Sequence, residues 1–463
     1  MNNLMRMLGS AMIAATVVIS VSASANAQIT FNSIWEFNAI DGAFPDYGSL
    51  AQGFNGNFYG TTNSGGAHYA GTVFEITAGG NLTTLYAFCS QLSCADGFDP
   101  AAGLIQAADG NLYGTTTYGG TNDYGTVFEI TASGKLTTLY SFNGTDGVFP
   151  QGSLVQASNG TFYGTTEQGG IYNDGTIFEI TAGGNLTTLY SFEGTDGEFP
   201  YSTLIQATNG DFYGTTEEGG SDNVGTVFEI TADGQLTSLH SFNGSDGEYP
   251  YGALVQAING NLYGTTEEGG AHSVGTVFEI TVGGQLTTIH NFAEINDGGF
   301  PYGGLIPATN GALYGTTLAG GAFNAGTIFE IGGGSKLSTI LSFNFSDGAE
   351  PRAGLLQATT GIFYGTTSGG GTSHEGTVYS LGQGLGSFIE ILPTSGPVGK
   401  TVVILGNNLS GATSVTFNGK AAKFRVVSRT DITATVPKGA TTGSVKVKTP
   451  SRTLTGNVNF RVS

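Results

Sequence analysis

The chain of 463 residues has little charge, few cysteines and no long hydrophobic run beyond its first residues. Charged residues make up 11% of the chain, less than half of the usual quarter. After residue 28, no stretch approaches the roughly 18 uninterrupted apolar residues that a membrane helix needs. Between residues 28 and 389 there are 33 acidic but only three basic residues, a net charge of −30 that repels phosphate backbones. Neither a membrane span nor a nucleic-acid partner is therefore expected.

Common catalytic and metal-binding motifs are also missing. The five histidines form no His-Glu-x-x-His motif and no close pair, which argues against a zinc site. No Gly-x-Ser-x-Gly elbow and no reactive-cysteine context is present. We therefore predict no catalytic residue, metal or cofactor, with one weak calcium hypothesis for the repeated Asp-Gly pairs. Those pairs, at Asp146, Asp196 and Asp246, lack the alternating oxygens of a calcium loop, and Asp-Gly is already a good turn former.

The N-terminal region predicts export. Residues 1 to 27 contain one charge, Arg6, then an apolar run from Leu8 to Val21 and a small-x-small site ending at Ala27, as in a secretory signal peptide. We expect a soluble, secreted protein, with association at the cell surface as the alternative. In such a compartment Cys89 and Cys94, the only cysteines, are predicted to form a disulfide that pins one surface loop, with a redox role as the alternative.

A repeated unit of about 50 residues fills residues 28 to 389. The string Tyr-Gly-Thr-Thr occurs seven times, at spacings of 54, 50, 50, 50, 51 and 50 residues, starting at Tyr59, Tyr113, Tyr163, Tyr213, Tyr263, Tyr314 and Tyr364. Each unit contains four short runs rich in β-branched and aromatic residues, separated by Asn-Gly and Asp-Gly turn signals. Four strands in each of seven units predict an all-β, seven-bladed β-propeller, with an open β-solenoid as the alternative. Two segments, 29–37 and 384–392, each resemble the extra strand that would close the ring.

These repeats resemble the Gloeobacter/Verrucomicrobia (GloVer) tandem repeat of exported bacterial proteins. The resemblance covers residues 30 to about 390 and rests on L-[IV]-Q-A-x-[ND]-G-x-[FL]-Y-G-T-T, G-T-V-F-E-I-T and L-T-T-L-Y-S-F. It implies a repeat architecture and no particular activity.

Residues 390 to 463 differ sharply in charge, with ten basic and two acidic residues and a net charge of +8. Their alternating apolar runs and turn signals favour a small β-sandwich. The run from Leu392 to Gly399 and the segments after it resemble an IPT/TIG domain, an immunoglobulin-like sandwich found in surface receptors and as a spacer in starch-acting enzymes. The opposite charges of ring and tail also predict that the two domains dock electrostatically.

The repeats differ most at two positions on the face of the ring that has the longer loops. One follows the proline between blades and reads Tyr47, Ala101, Gln151, Tyr201, Tyr251, Tyr302 and Arg352. The other follows Tyr-Gly-Thr-Thr and gives Glu167-Gln168, Glu217-Glu218 and Glu267-Glu268 in blades three to five. Aromatic faces beside carboxylates suit sugars or cationic groups. The predicted ligand-binding residues are Tyr201, Tyr251, Tyr302, Glu217, Glu218, Glu267, Glu268 and Arg352; the alternative is a solvated acidic rim.

The sequence favours an exported, non-enzymatic binding or scaffold protein that engages carbohydrate or a cell-surface partner through this face. One alternative is a polysaccharide hydrolase or lyase that uses the loop carboxylates. Another is a purely structural envelope protein. Nearly identical carboxylate pairs in adjacent blades favour repeated weak binding over one asymmetric active site, because acid and base catalysis needs two carboxylates in unlike environments.

Overall fold

The structure is a computed structural model that describes residues 17–18, 29–293, 295, 297–333 and 336–463. The predicted signal peptide and its cleavage site lie outside these residues, apart from Val17–Val18. Those two residues form a short strand against Thr30 and Phe31.

Seven antiparallel sheets of four strands make up the repeat region, which confirms the predicted seven-bladed β-propeller. Each sheet has a first strand of two residues and three longer strands. In chain order the strands of blades one to three are Ala51–Gln52, Phe58–Thr62, Thr72–Ile76 and Leu82–Ala87; Ile105–Gln106, Leu112–Thr116, Thr126–Ile130 and Leu136–Ser141; and Val155–Gln156, Phe162–Thr166, Thr176–Ile180 and Leu186–Ser191. Those of blades four to six are Ile205–Gln206, Phe212–Thr216, Thr226–Ile230 and Leu236–Ser241; Val255–Gln256, Leu262–Thr266, Thr276–Ile280 and Leu286–Asn291; and Ile306–Pro307, Leu313–Thr317, Thr327–Ile331 and Leu337–Ser342.

The N-terminal segment closes the ring. Blade seven takes Leu356–Gln357, Phe363–Thr367 and Thr377–Gly382 from its own repeat and Thr30–Glu36 as its fourth strand. Phe37, the residue after this strand, packs edge-on against Phe74 of blade one at a ring-centroid distance of 5.3 Å. Phe88 makes the same contact with Phe128 one blade further on, at 5.2 Å. The other candidate for the closing strand, residues 384–392, instead contributes the strand Glu390–Leu392 to the C-terminal domain.

Two threonines of each repeat form a buried polar link inside the blade. In blade four, the Thr216 and Thr226 hydroxyl oxygens are 2.8 Å apart, and the Thr226 amide donates to Thr216 Oγ1 at 3.2 Å. Thr226 Oγ1 then donates to the carbonyl of Asp196 in the loop between blades, at 3.1 Å. This link ties the second and third strands to the incoming loop, so the Thr-Thr of the repeat has a structural role.

The C-terminal domain is a β-sandwich with one hydrophobic core. Its first sheet contains Glu390–Leu392, Thr401–Leu405, Asp431–Thr435 and Lys423–Val426. Its second contains Ser395–Gly396, Thr453–Val462, Gly443–Lys448, Ser414–Phe417 and Lys420–Ala421. Two short 3-10 turns complete the described secondary structure, Leu92–Cys94 and Leu409–Gly411. The described residues include no helix long and apolar enough to cross a membrane.

This sandwich lies against the tight-turn face of the propeller. Thr430 Oγ1 donates to the carbonyl of Phe54 at 2.7 Å, and Arg461 Nη1 donates to that of Thr208 at 2.9 Å. Lys400 Nζ donates to the carbonyl of Ser158 at 2.5 Å. The basic residues therefore dock mainly on main-chain carbonyls of hairpin turns from different blades, rather than on paired carboxylates.

The threonine link gives a stability prediction. Thr216→Val keeps the side-chain volume but leaves the buried Thr226 amide without its acceptor, so the free energy of unfolding should fall by about 1–3 kcal/mol. Thr237→Val, at an exposed position of the fourth strand of the same blade, is the matched control and should change it little. Chemical denaturation followed by circular dichroism measures both. Equal stability of the two variants would contradict the structural role.

Candidate functional site

The residue before each inter-blade proline holds the loop-side mouth of the channel in place. It adopts a left-handed conformation in every blade, with φ between 54° and 58°, at Phe44, Asp99, Phe149, Phe199, Tyr249, Phe300 and Glu350. In blade four, the Phe199 amide donates to the carbonyl of Asp174 in blade three at 3.0 Å, and the Phe199 carbonyl accepts from the Glu217 amide at 3.0 Å. A left-handed non-glycine residue costs about 1–2 kcal/mol. These bonds to two blades hold it there and fix Glu217 relative to Tyr201.

Four tyrosines form a continuous aromatic arc across this mouth. Tyr251 and Tyr302 stack with centroids 4.3 Å apart and planes 15° apart. Tyr201 meets Tyr251 edge-on at 5.4 Å, and Tyr47 meets Tyr302 at 5.3 Å. The arc and Arg352 line a cavity of about 350 Å³ along the channel. We call Tyr47, Tyr201, Tyr251 and Tyr302 the tyrosine arc.

Carboxylates from blades three to five lie beside the arc. Glu217 accepts a hydrogen bond from the hydroxyl of Tyr251. Glu167 accepts one from Gln151 Nε2 at 2.6 Å. Burial raises the pKa of Glu217 to about 7 and that of Glu267 to about 6. Burial also raises the pKa of the Tyr251 hydroxyl well above its usual value, so that group stays a hydrogen-bond donor.

The four predicted glutamates do not all lie beside the tyrosine arc. Glu218 and Glu268 lie one residue further along the chain, where their main chains pair with Glu198 and Glu248 of the outer loops. The amide of Glu198 donates to the carbonyl of Glu218 at 2.9 Å, and Glu248 and Glu268 are joined in the same way. The structure thus groups Glu217 and Glu267 with the arc, and places the other two on the side of the neighbouring loop.

A second group of polar residues completes the mouth in blades seven, one and two. Arg352 Nη2 lies 3.2 Å from Glu350 Oε2, and Asn63 Nδ2 donates to Asp46 Oδ2 at 3.1 Å. Burial raises the pKa of both Asp46 and Asp99 to about 6. Sequence reasoning missed these two aspartates. The signal was present, since Asp46 is an extra residue after Pro45 and Asp99 stands where five other blades have Phe or Tyr.

The Asp residues considered as calcium ligands accept hydrogen bonds within their own turns. Asp146 accepts hydrogen bonds from the Asn143 amide at 2.9 Å and from the Tyr140 hydroxyl. Asp246 accepts from the Asn243 amide at 3.0 Å and lies 3.0 Å from His240 Nε2. Among the described residues, no three His, Cys, Asp or Glu side chains are grouped so that they could hold a metal ion.

The two cysteines lie away from the mouth, in the insertion after the fourth strand of blade one. Cys89 and Cys94 are joined by a disulfide. Beside it, the buried carboxylate of Asp96 accepts from the Ser90 amide at 2.9 Å and the Gln91 amide at 3.2 Å, which orders the loop.

Comparison with known families agrees with the repeat architecture. The Gloeobacter/Verrucomicrobia repeat matches three overlapping stretches, residues 15–228, 135–329 and 207–414. The chain belongs to the Gloeobacter/Verrucomicrobia repeat family. The IPT/TIG domain matches residues 387–462 of this repeat-family protein, which identifies the C-terminal sandwich. No curated protein matches the chain.

Solved structures similar to this repeat-family protein are distant in sequence. One is described as the extracellular domain of a hybrid two-component system from B. thetaiotaomicron, with 12% identity, a TM-score of 0.53, and coverage of 94% of this chain and 58% of that one. A second extracellular domain of that description and organism has 10% identity, a TM-score of 0.49, and coverage of 95% and 52%. This chain thus spans little more than half of either. A periplasmic gluconolactonase of Pseudomonas aeruginosa has 17% identity, a TM-score of 0.43, and coverage of 71% and 97%. Only the first of these likenesses supports a conclusion, and that conclusion is the fold alone.

The raised pKa values of the mouth predict how stability depends on pH. Glu217 holds its proton up to about pH 7 in the folded protein, whereas an ordinary glutamate releases it near 4.5. The stability that this proton provides is present at pH 4.5 and is lost as the pH rises to about 7. When the pH rises from 5 to 7.5, the free energy of unfolding should therefore fall less in Glu217→Gln than in the unmodified protein. The difference should be on the order of 1 kcal/mol after allowing for solvent screening.

Calorimetric unfolding at several pH values measures this difference. Glu193→Gln is the control, because Glu193 is exposed on an outer loop of the same face. If Glu217→Gln follows the same pH profile as Glu193→Gln, Glu217 does not have a raised pKa.

Proposed function

We propose that this repeat-family protein is an exported, non-enzymatic binding protein that engages carbohydrate or a cell-surface partner at the loop-side mouth of its propeller. The observation that supports this most is the tyrosine arc, which lies over a cavity of about 350 Å³ with half-buried carboxylates beside it. That volume falls at the lower end of the roughly 300–1,000 Å³ of small-molecule sites. Aromatic faces that stack on sugar rings, with hydrogen-bonding groups at their edges, suit a short saccharide.

The position of the IPT/TIG domain supports entry from this side. It covers turns at the opposite face through Thr430, Lys400 and Arg461. The longer loops, by contrast, surround the mouth and leave aromatic side chains such as Tyr172 exposed. A ligand would therefore approach through the loops, while the basic sandwich acts as a spacer or a contact to anionic surfaces.

Hydrolysis of a polysaccharide is the second candidate, and one observation favours it. A carboxyl with a pKa of about 7 can donate a proton at neutral pH, and Glu217 is such a group, with Glu267 in the next blade at about 6. Both carboxyls are raised for the same reason, burial, so they are not the strongly unlike pair that acid and base catalysis uses. Turnover of any polysaccharide that disappears in Glu217→Gln would establish this candidate over simple binding.

Substitutions in the arc test the binding proposal. On a glycan array, Tyr201→Ala and Tyr251→Ala should each weaken retention of a bound glycan by about tenfold or more, because each removes a stacking face. Tyr172→Ala removes an exposed tyrosine of an outer loop on the same face and should leave binding unchanged. A clean array, together with no partner captured by the intact protein, would contradict the proposal.

A further inference from the structure

The mouth contains half-buried carboxylates that form no ion pair among the described residues. Five acidic side chains surround it: Asp46, Asp99, Glu167, Glu217 and Glu267. The described residues form ion pairs at His240–Asp246, His290–Asp297 and Arg352–Glu350, and none of these involves the five. Their described hydrogen-bond donors are neutral groups, such as the Tyr251 hydroxyl and the amides of Gln151 and Asn63.

Arg352 is the one cation at the mouth among the described residues; it attracts Asp46 and Glu267, which lowers their pKa, but it forms no ion pair with any of the five. It is paired with a sixth carboxylate, Glu350, at 3.2 Å. Buried carboxylates normally have a paired charge, since an isolated ionised group loses its hydration. Desolvation, which no ion pair offsets, raises the pKa of Glu217 and Glu267.

The tyrosine arc gives an independent reason to expect a cation. The face of a tyrosine ring is the negative end of its quadrupole, and cations bind favourably within about 6 Å of a ring centroid. Tyr201 and Tyr251 meet edge-on at 5.4 Å, so their faces are at a large angle to each other, and Tyr302 continues the wall by stacking. Such walls, with carboxylates at their edges, are the arrangement that recognises ammonium groups.

Polar atoms left without partners lie at the same mouth. Thr117, which is only 3% exposed, occupies in blade two the position that Glu167, Glu217 and Glu267 occupy in theirs, and its hydroxyl has no hydrogen-bond partner. Oδ1 of Asp99, whose carbonyl accepts from the Thr117 amide at 2.9 Å, is also buried without a partner. Buried polar atoms are rarely left unpaired, so hydrogen bonding at this part of the mouth is incomplete among the described residues.

We propose that the ligand of the mouth has a positively charged amine or quaternary ammonium group, bound against the tyrosine arc beside Glu217 and Glu267. This rests on the proposed function, because it names the chemistry of the ligand at the same site. A cation supplies the missing counter-charge. Amino sugars and trimethylammonium compounds share this chemistry.

Calorimetric titration of the full mature protein with matched pairs of probes tests the proposal. Glucosamine oligomers are compared with N-acetylglucosamine oligomers, and choline with its neutral isostere 3,3-dimethylbutan-1-ol. The cationic member of at least one pair should bind tenfold or more tightly than its neutral partner, and its affinity should fall as salt is added. Preference within the first pair indicates an amino sugar, and preference within the second a quaternary ammonium group.

Replacing a glutamate with glutamine shows whether that carboxylate contributes to binding of the cationic probe. Glu217→Gln and Glu267→Gln should each weaken the cationic probe by about fivefold to tenfold and leave its neutral partner unaffected, while Glu193→Gln changes neither. Thermal unfolding confirms that each variant is folded. If the neutral saccharides bind as well as the charged ones, the cationic ligand is ruled out and the binding function stands. If none of the four probes binds, the cationic ligand is ruled out, and the glycan array decides the binding function separately.

Discussion

Main-chain hydrogen bonds between neighbouring blades are the constraint on which this structure depends. Each residue before an inter-blade proline donates to one blade and accepts from the other, as Phe199 does between Asp174 and Glu217. Glycine in the preceding loop makes this approach possible, because a Cβ on Gly175 would lie 2.4 Å from Pro200. On the opposite face the repeated glutamine makes a second link, with Gln256 Oε1 accepting from the Thr208 amide at 2.8 Å. Gln52 and the Thr359 amide, 2.9 Å apart, join the last blade to the first.

The groups that join the blades are different from the side chains that line the mouth. The atoms that hold the blades together are main chain, glycine, threonine and glutamine, which recur from unit to unit. The side chain that follows each proline is free to vary without disturbing them, and so Tyr201, Gln151 and Arg352 occupy equivalent places around one channel. Repetition provides the rigid ring, and variation at a few positions provides an asymmetric mouth with an aromatic side and a mixed Arg and Asp side.

The blade count, the strand content and the C-terminal sandwich could be predicted from the sequence because repeats and turn signals are local. The identity of the closing strand could not, since both candidate segments have a strand-like pattern. In the structure Thr30–Glu36 takes this place, and Phe37 after it packs against Phe74. In the site, the position of the tyrosines after the proline predicted that they would lie together at the mouth. The different surroundings of Glu217 and Glu218 could not be predicted, because successive residues at a strand end take opposite sides and the register alone decides which one meets Tyr251.

Glu217 is a half-buried carboxyl with a raised pKa, and the proposed ligand supplies its counter-charge. Carbon-13 NMR of glutamate-labelled protein, with Glu217→Gln to assign the signal, measures its titration directly. We expect a midpoint of about 7 in the free protein, which moves to lower pH when a cationic ligand binds. A midpoint near the ordinary 4.5 in the free protein, or one that does not move when such a ligand is bound, would contradict this expectation.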